Sequence, residues 1–115
     1  MELLNAEELP AGFTYPPEFV RLVDADITHF PPWWIVDGDL LRGRNGDLAK
    51  RYPGRRRVLF AVREDSDDVA CWDLDAGGVV IVHDFAEPGR EQRGAFADFR
   101  AWFAAAMDDF FDFDD

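Results

Sequence analysis

The chain has 115 residues, which is enough for one domain with its own hydrophobic core and too few for two. Its net charge is −12, a value that opposes binding to nucleic acid or to an anionic membrane and favours basic partners. No apolar run reaches the roughly 18 residues that cross a membrane, and acidic residues stand where a secretory signal has basic ones. One cysteine excludes an internal disulfide framework. We therefore expect a cytoplasmic protein.

The N-terminal half predicts helices that prolines interrupt. Residues 1–12 are interpreted as a loosely held leader. Apolar side chains recur at helical spacing over residues 17–29, after prolines that suit a first helical turn, and predict an amphipathic helix. Two prolines then break the helix, and residues 33–36 predict a short strand or an aromatic hinge whose tryptophans are core residues or interface anchors. Residues 39–52 are weakly helical and end at a Pro-Gly turn.

The C-terminal half predicts a sheet and a helix that covers it. Residues 57–62, 69–74 and 79–82 are rich in β-branched and aromatic side chains and predict three strands, the last of them covered on both faces. Two glycines at residues 77–78 favour a hairpin between the last two strands, because glycine adopts a positive φ without steric cost. Apolar residues three and four positions apart predict a final helix. They are Phe96, Phe99, Trp102, Phe103, Ala106 and Met107.

The segment REDSDDVACWDLD, residues 63–75, carries six carboxylates in thirteen positions. Asp65, Ser66, Asp67 and Asp68 lie between two predicted strands, where Asp and Ser side chains commonly bond to their own backbone. A solvated turn is therefore the simplest interpretation. A calcium loop would need a glycine bend and a closing Glu at the right spacing, and that pattern is absent. A catalytic carboxylate pair stays open.

Few other residues suit catalysis. His83 and Asp84 are neighbours on an extended chain, so their side chains should point to opposite faces and could not act as a pair. His29 is interpreted as a cap or a surface residue. Ser66 is the only serine and lies among aspartates, and Cys71 should be buried and inert in its strand. We expect no catalytic residue, no metal site and no cofactor.

The charges are unevenly distributed along the chain. Seven of the 12 Lys and Arg lie in residues 42–57, whose simplest interpretation is a solvated helix and turn rather than a phosphate-binding surface. The last eight residues, DDFFDFDD (108–115), mix five aspartates with three phenylalanines. They are either the end of the final helix with Phe110 and Phe111 packed, or an acidic-aromatic segment that docks on a basic partner.

Several short motifs occur together in a recognisable order. They are YPPEFVRLV (15–23), PWWIV (32–36), RYP (51–53), FAVREDSDDVACWDLD (60–75), VHDFA (82–86) and the helix with Phe96, Phe99 and Trp102. In this order they resemble the SUKH superfamily, named partly for yeast regulators of cell wall assembly and killer-toxin resistance. The most specific part is the series from Arg63 to Asp73 with the later HDFA motif.

The resemblance covers roughly residues 13–107, leaving the leader 1–12 and the acidic-aromatic tail 108–115 outside. It implies a single α+β domain in which helices flank a twisted antiparallel sheet. Bacterial members are mostly immunity proteins that bind and neutralise secreted or contact-dependent polymorphic toxins, including nucleases. They are binders rather than catalysts.

We accordingly expect an immunity-type protein that occludes a cognate protein toxin, for example a basic nuclease. Fixed acids can pair with Arg and Lys of such a partner and raise the association rate. The candidate contact residues are Asp65, Asp67, Asp68, Asp73, Asp84, Asp112 and Asp114. Two alternatives stay open: a housekeeping or regulatory interaction domain of the same fold, and a small metal-dependent hydrolase that uses the turn aspartates with His83.

Overall fold

The computed structural model describes residues 1–113, which form a six-stranded antiparallel sheet and three helices. This α+β architecture agrees with the prediction. Each strand pairs with the next strand in the chain, so the sheet is a simple meander. The elements are α1 (Pro17–Asp24), β1 (His29–Phe30), β2 (Trp33–Ile35), α2 (Gly38–Arg51), β3 (Arg57–Arg63), β4 (Asp68–Asp73), β5 (Val79–His83), β6 (Gln92–Phe96) and α3 (Phe99–Asp112). No helix in residues 1–113 is long and apolar enough to cross a membrane.

The first helix is shorter than predicted, because α1 ends at Asp24 rather than near residue 29. Asp26 adopts a left-handed conformation with φ 59°, and the N–H of Ile27 donates back to the carbonyl of Leu22 at 3.1 Å. A left-handed residue cannot continue an α-helix, and this bond closes its last turn. The chain then extends into β1 instead of adding another helical turn.

The sequence pattern does not predict the two edge strands. β1 has only two residues, and β6 is mostly half-buried or exposed. An edge strand pairs on one side only and can be short and polar, so it lacks the apolar run that marks a central strand. Phe96 closes β6 rather than opening the final helix. That helix begins at Phe99, after Asp98 accepts a hydrogen bond from the N–H of Ala101 at 2.9 Å.

An aromatic cluster fixes α1 and α3 on one face of the sheet. Phe60 lies at its centre, with ring centroids 4.2 Å from Trp72 and 4.9 Å from Trp102. Phe19 brings in α1, with its ring 4.9 Å from that of Trp72, and Phe99 adds the start of α3. Aromatic side chains bury large areas and prefer such tilted and edge-to-face contacts. This cluster is the main apolar contact between the helices and the sheet.

The second helix packs on the opposite face of the sheet. Cys71 immediately precedes Trp72 in β4, so its side chain points to this opposite face, where it is buried. Leu41 and Leu48 are the buried apolar residues of α2. The side-chain amide of Asn45 donates to the carbonyl of Leu59 at 3.1 Å and accepts from its N–H at 2.9 Å. It thereby takes the place of a neighbouring strand where β2 no longer pairs with β3.

Residues 1–12, expected to be a loosely held leader, contact α2 and the chain before α1. Leu4 is buried, and its N–H donates to the hydroxyl of Tyr15 at 3.1 Å. The N–H of Gly38 donates to the carbonyl of Glu2 at 2.8 Å, while Arg42 donates to Glu8 at 2.6 Å. The Arg42 hydrogen bond lowers the pKa of Glu8. These contacts attach the segment to the domain.

Replacement of Phe60 by alanine should lower the free energy of unfolding by about 3–5 kcal/mol, because it opens a cavity in the centre of the aromatic cluster. Urea denaturation of the purified variant measures the change. Phe111→Ala is the matched control, since that ring is 78% exposed, and it should change stability by no more than about 0.5 kcal/mol. Similar losses in both variants would contradict the assignment of Phe60 to the core.

Candidate functional site

The acidic turn predicted from the sequence connects β3 to β4. Glu64, Asp65 and Asp67 are exposed, and Asp68 is partly buried at the first position of β4. The Ser66 hydroxyl accepts a hydrogen bond from the N–H of Asp68 at 3.2 Å, so the serine shapes the turn as expected. The turn therefore presents a group of carboxylates at one end of the sheet.

An arginine joins this turn to the end of α3. Arg63 donates to both oxygens of Asp65, at 2.7 and 3.1 Å, and to Asp109 of α3 at 3.3 Å. The hydrogen bonds from Arg63 lower the pKa of Asp65 and keep this carboxylate ionised. Asp109 also accepts from the indole N–H of Trp33 at 3.0 Å. We call Glu64, Asp65, Asp67, Asp68 and Asp109 the acidic end of the molecule.

Both histidines of the chain contact the acidic end. Nε2 of His29 lies 3.1 Å from Glu64, and Nδ1 of His83 lies 2.8 Å from Asp68. His29 is exposed, as predicted, although it belongs to β1 and does not cap a helix. Asp67 has no ion pair within residues 1–113. Its carboxylate is thus available to a basic group of another molecule.

Exposed aromatic side chains accompany the acidic end. Trp34 is 45% exposed, and its ring lies 6.1 Å from that of His29. Phe110 and Phe111 follow Asp109 in α3 and are 42% and 78% exposed, so of the two interpretations of the tail, the one in which both rings pack at the helix end is wrong. Exposed aromatic residues beside charged groups are typical of protein interfaces.

Two of the predicted contact residues lie inside the protein. The Asp73 side chain accepts hydrogen bonds from the N–H groups of Asp75 and Ala76, at 2.9 and 3.0 Å, and orders the β4–β5 hairpin. Asp84 is fully buried and accepts from Arg51 at 2.7 and 2.6 Å. Because neither carboxylate reaches the surface, we assign both aspartates structural roles and remove them from the contact set.

The Asp84 pair joins two segments that are far apart in the sequence. Arg51 and Tyr52 belong to RYP, and Asp84 and Ala86 belong to VHDFA. The Tyr52 hydroxyl donates to the carbonyl of Ala86 at 2.7 Å, next to the Arg51 pair. Arg51 also stacks on the exposed ring of Phe85, 4.1 Å from its centroid. The two motifs therefore form one contact between α2 and the chain after β5.

His83 and Asp84 point to opposite sides, as their positions on an extended chain predict. His83 contacts Asp68 at the acidic end, while Asp84 faces α2. They cannot act together as a base and its orienting acid. Cys71 is buried as predicted, and burial raises the pKa of its thiol far above the ordinary value. Residues 1–113 contain no cluster of three or more potential metal ligands.

The last two predicted contact residues, Asp112 and Asp114, lie at or beyond the end of α3. Asp112 is the last residue of α3 and is exposed. Asp114 lies outside the described residues.

The sequence reasoning missed Asp109 and the exposure of Trp34. Only the second had a usable signal: neighbouring residues in a strand face opposite sides, so one of Trp33 and Trp34 should be exposed.

Asp84→Ala should lower the free energy of unfolding by about 1.5–3 kcal/mol, because it removes the charged hydrogen bonds that Arg51 donates to this buried carboxylate. Urea denaturation measures the loss. Asp67→Ala removes an exposed carboxylate of the same kind and should change stability by no more than about 0.5 kcal/mol. A neutral result for Asp84→Ala would overturn the structural role of this aspartate.

Neither family models nor curated proteins nor solved structures contain a match to this chain. Inference about its function therefore rests on the residues themselves. The acidic end and its exposed aromatic side chains are the features of the described surface that most resemble a binding site for another protein.

Proposed function

We propose that this chain is a non-catalytic immunity protein that binds and occludes a basic protein toxin. The observation that carries the proposal is the acidic end, where exposed carboxylates of the β3–β4 turn lie near the exposed ring of Trp34, which stands 6.1 Å from the ring of His29, the partner of Glu64. The motifs that resemble the SUKH superfamily support the same function. Charged groups favour encounter with a basic partner, and aromatic groups supply contact area.

The geometry of the acidic end suits rapid and oriented binding. Arg63 holds Asp65 and Asp109 in place, so these carboxylates lose little conformational freedom when a partner arrives. Asp67 and Asp112, which have no ion pair within the described chain, are available for charged hydrogen bonds with Arg or Lys. The overall charge of −12 adds long-range attraction to a basic protein.

Neutralisation by this route needs no bond-breaking chemistry in the chain. A partner whose active site or substrate path lies under the interface loses access to its substrate for as long as the complex lasts. A regulatory interaction domain would use the same surface on a partner that is not toxic. A metal-dependent hydrolase is less favoured, because residues 1–113 do not bring three or more potential metal ligands together.

The test is capture of the partner by the full chain, followed by kinetics with surface variants. Tagged protein is exposed to source lysate that contains the product of the neighbouring gene, and bound proteins are eluted with rising salt. We expect one basic partner at near-equal stoichiometry. The variant Asp65→Asn, Asp67→Asn, Asp68→Asn should slow association about tenfold at low salt, with little difference near 1 M, where screening acts within about 3 Å.

The matched control is Glu18→Gln, Asp24→Asn, Asp26→Asn, which makes the same change in net charge on the exposed surface around α1. It should slow association far less than the turn variant. Equal effects would show that net charge alone matters and would refute the acidic end as the contact. Co-expression with the captured partner completes the test: rescue of growth supports immunity, and a harmless partner supports the regulatory alternative.

A further inference from the structure

A groove of about 540 Å³ lies between α1 and α3, on the face of the sheet that carries the aromatic cluster. Its apolar lining comes from Leu22 of α1 and from Phe99 and Phe103 of α3. Leu22 and Phe103 are only partly buried, so part of this apolar surface is open to solvent. Apolar grooves of this kind are common docking sites for a helix of another chain.

The charged residues at this groove are mainly basic. Arg21 lines it from α1 and Arg100 from α3, together with the carboxylate of Glu18. Both arginines are exposed and have no ion pair within residues 1–113, whereas most other arginines in that range are paired with a carboxylate. In a protein with a net charge of −12, the two side chains form a local positive patch that favours an acidic partner.

The other end of α3 carries features that complement the groove. One side of the helix presents a stripe of residues at spacings of four, three and four, which are Arg100, Ala104, Met107 and Phe111. Phe111 is 78% exposed, and the exposed carboxylate of Asp108 borders it three positions earlier. The same side of α3 therefore has a basic start beside an apolar groove and an acidic end with an exposed aromatic ring.

We propose that two copies of this chain form a symmetric dimer in which their α3 helices pack antiparallel along this stripe. A two-fold axis between Ala104 and Met107 places these two residues opposite each other, and the small alanine allows the helix axes to approach to about 8–10 Å. Phe111 of each copy then reaches the groove of the other. Asp108 of each copy pairs with Arg100 of the other, so every contact occurs twice.

Charge complementarity is the reason for a second copy as the occupant, because the acidic end of α3 fits the basic groove. Two chains of net charge −12 repel each other at long range, so we expect a weak dimer. Each copy has its own core and folds without the other. The proposal does not rest on toxin binding: Asp109 of the acidic end is two residues from Phe111 and points about 200° away around the helix.

Analytical ultracentrifugation of the full chain at increasing concentration tests the dimer, and a charge exchange tests its register. We expect a reversible shift from monomer to dimer. Arg100→Glu and Asp108→Arg each place like charges at both contacts and should weaken self-association at least about tenfold. An equal mixture of the two variants restores both opposite-charge contacts and should form a heterodimer with about the affinity of the unchanged chain. Both positions are exposed, and both substitutions suit the helix dipole, so the fold should persist.

Arg90→Glu and Glu87→Arg are the matched controls, since they make the same two changes in net charge on exposed side chains of the loop between β5 and β6. Each should dimerise like the unchanged chain. A chain that stays monomeric at every concentration would overturn the proposal. A mixture of Arg100→Glu and Asp108→Arg that does not regain the dimer, or loop variants that weaken it equally, would also overturn it.

Discussion

The ion pair between buried Asp84 and Arg51 joins three parts of the molecule: α2, the chain after β5 and the acidic turn. α2 contains three glycines and buries only two leucines, so its own sequence supports it weakly. Arg51 attaches its last turn to Asp84, which follows β5. The N–H of Asp84 also donates to the carbonyl of Asp67 at 3.0 Å, which ties the acidic turn to the same point.

An ion pair with a buried carboxylate favours one arrangement of the chain over others, even where it adds little to the free energy of unfolding. Two charges lose their hydration when buried, and a good geometry is needed to offset that loss. Here Asp84 accepts from both Arg51 and the N–H of Phe85, and Arg44 lies 3.8 Å away. The satisfied carboxylate specifies how α2 lies on the sheet.

The strands separate the charges of the protein along their length. β3 begins at Arg57, directly after Arg55 and Arg56, and ends at Arg63, next to the acidic end. Seven residues at about 3.3 Å each separate the two ends by roughly 20 Å, well beyond the Debye length of about 8 Å at physiological salt.

Local patterns in the sequence by themselves determined the three central strands, the hairpin between β4 and β5, the burial of Cys71 and the general extent of α3. These features depend on alternation, helical spacing and turn chemistry among residues close in the chain. They did not determine the edge strands or the end of α1, where a left-handed Asp26 stops the helix. Only the tertiary structure decided which carboxylates face solvent, because their partners are distant: Arg51 lies 33 residues from Asp84, and Arg63 lies 46 residues from Asp109.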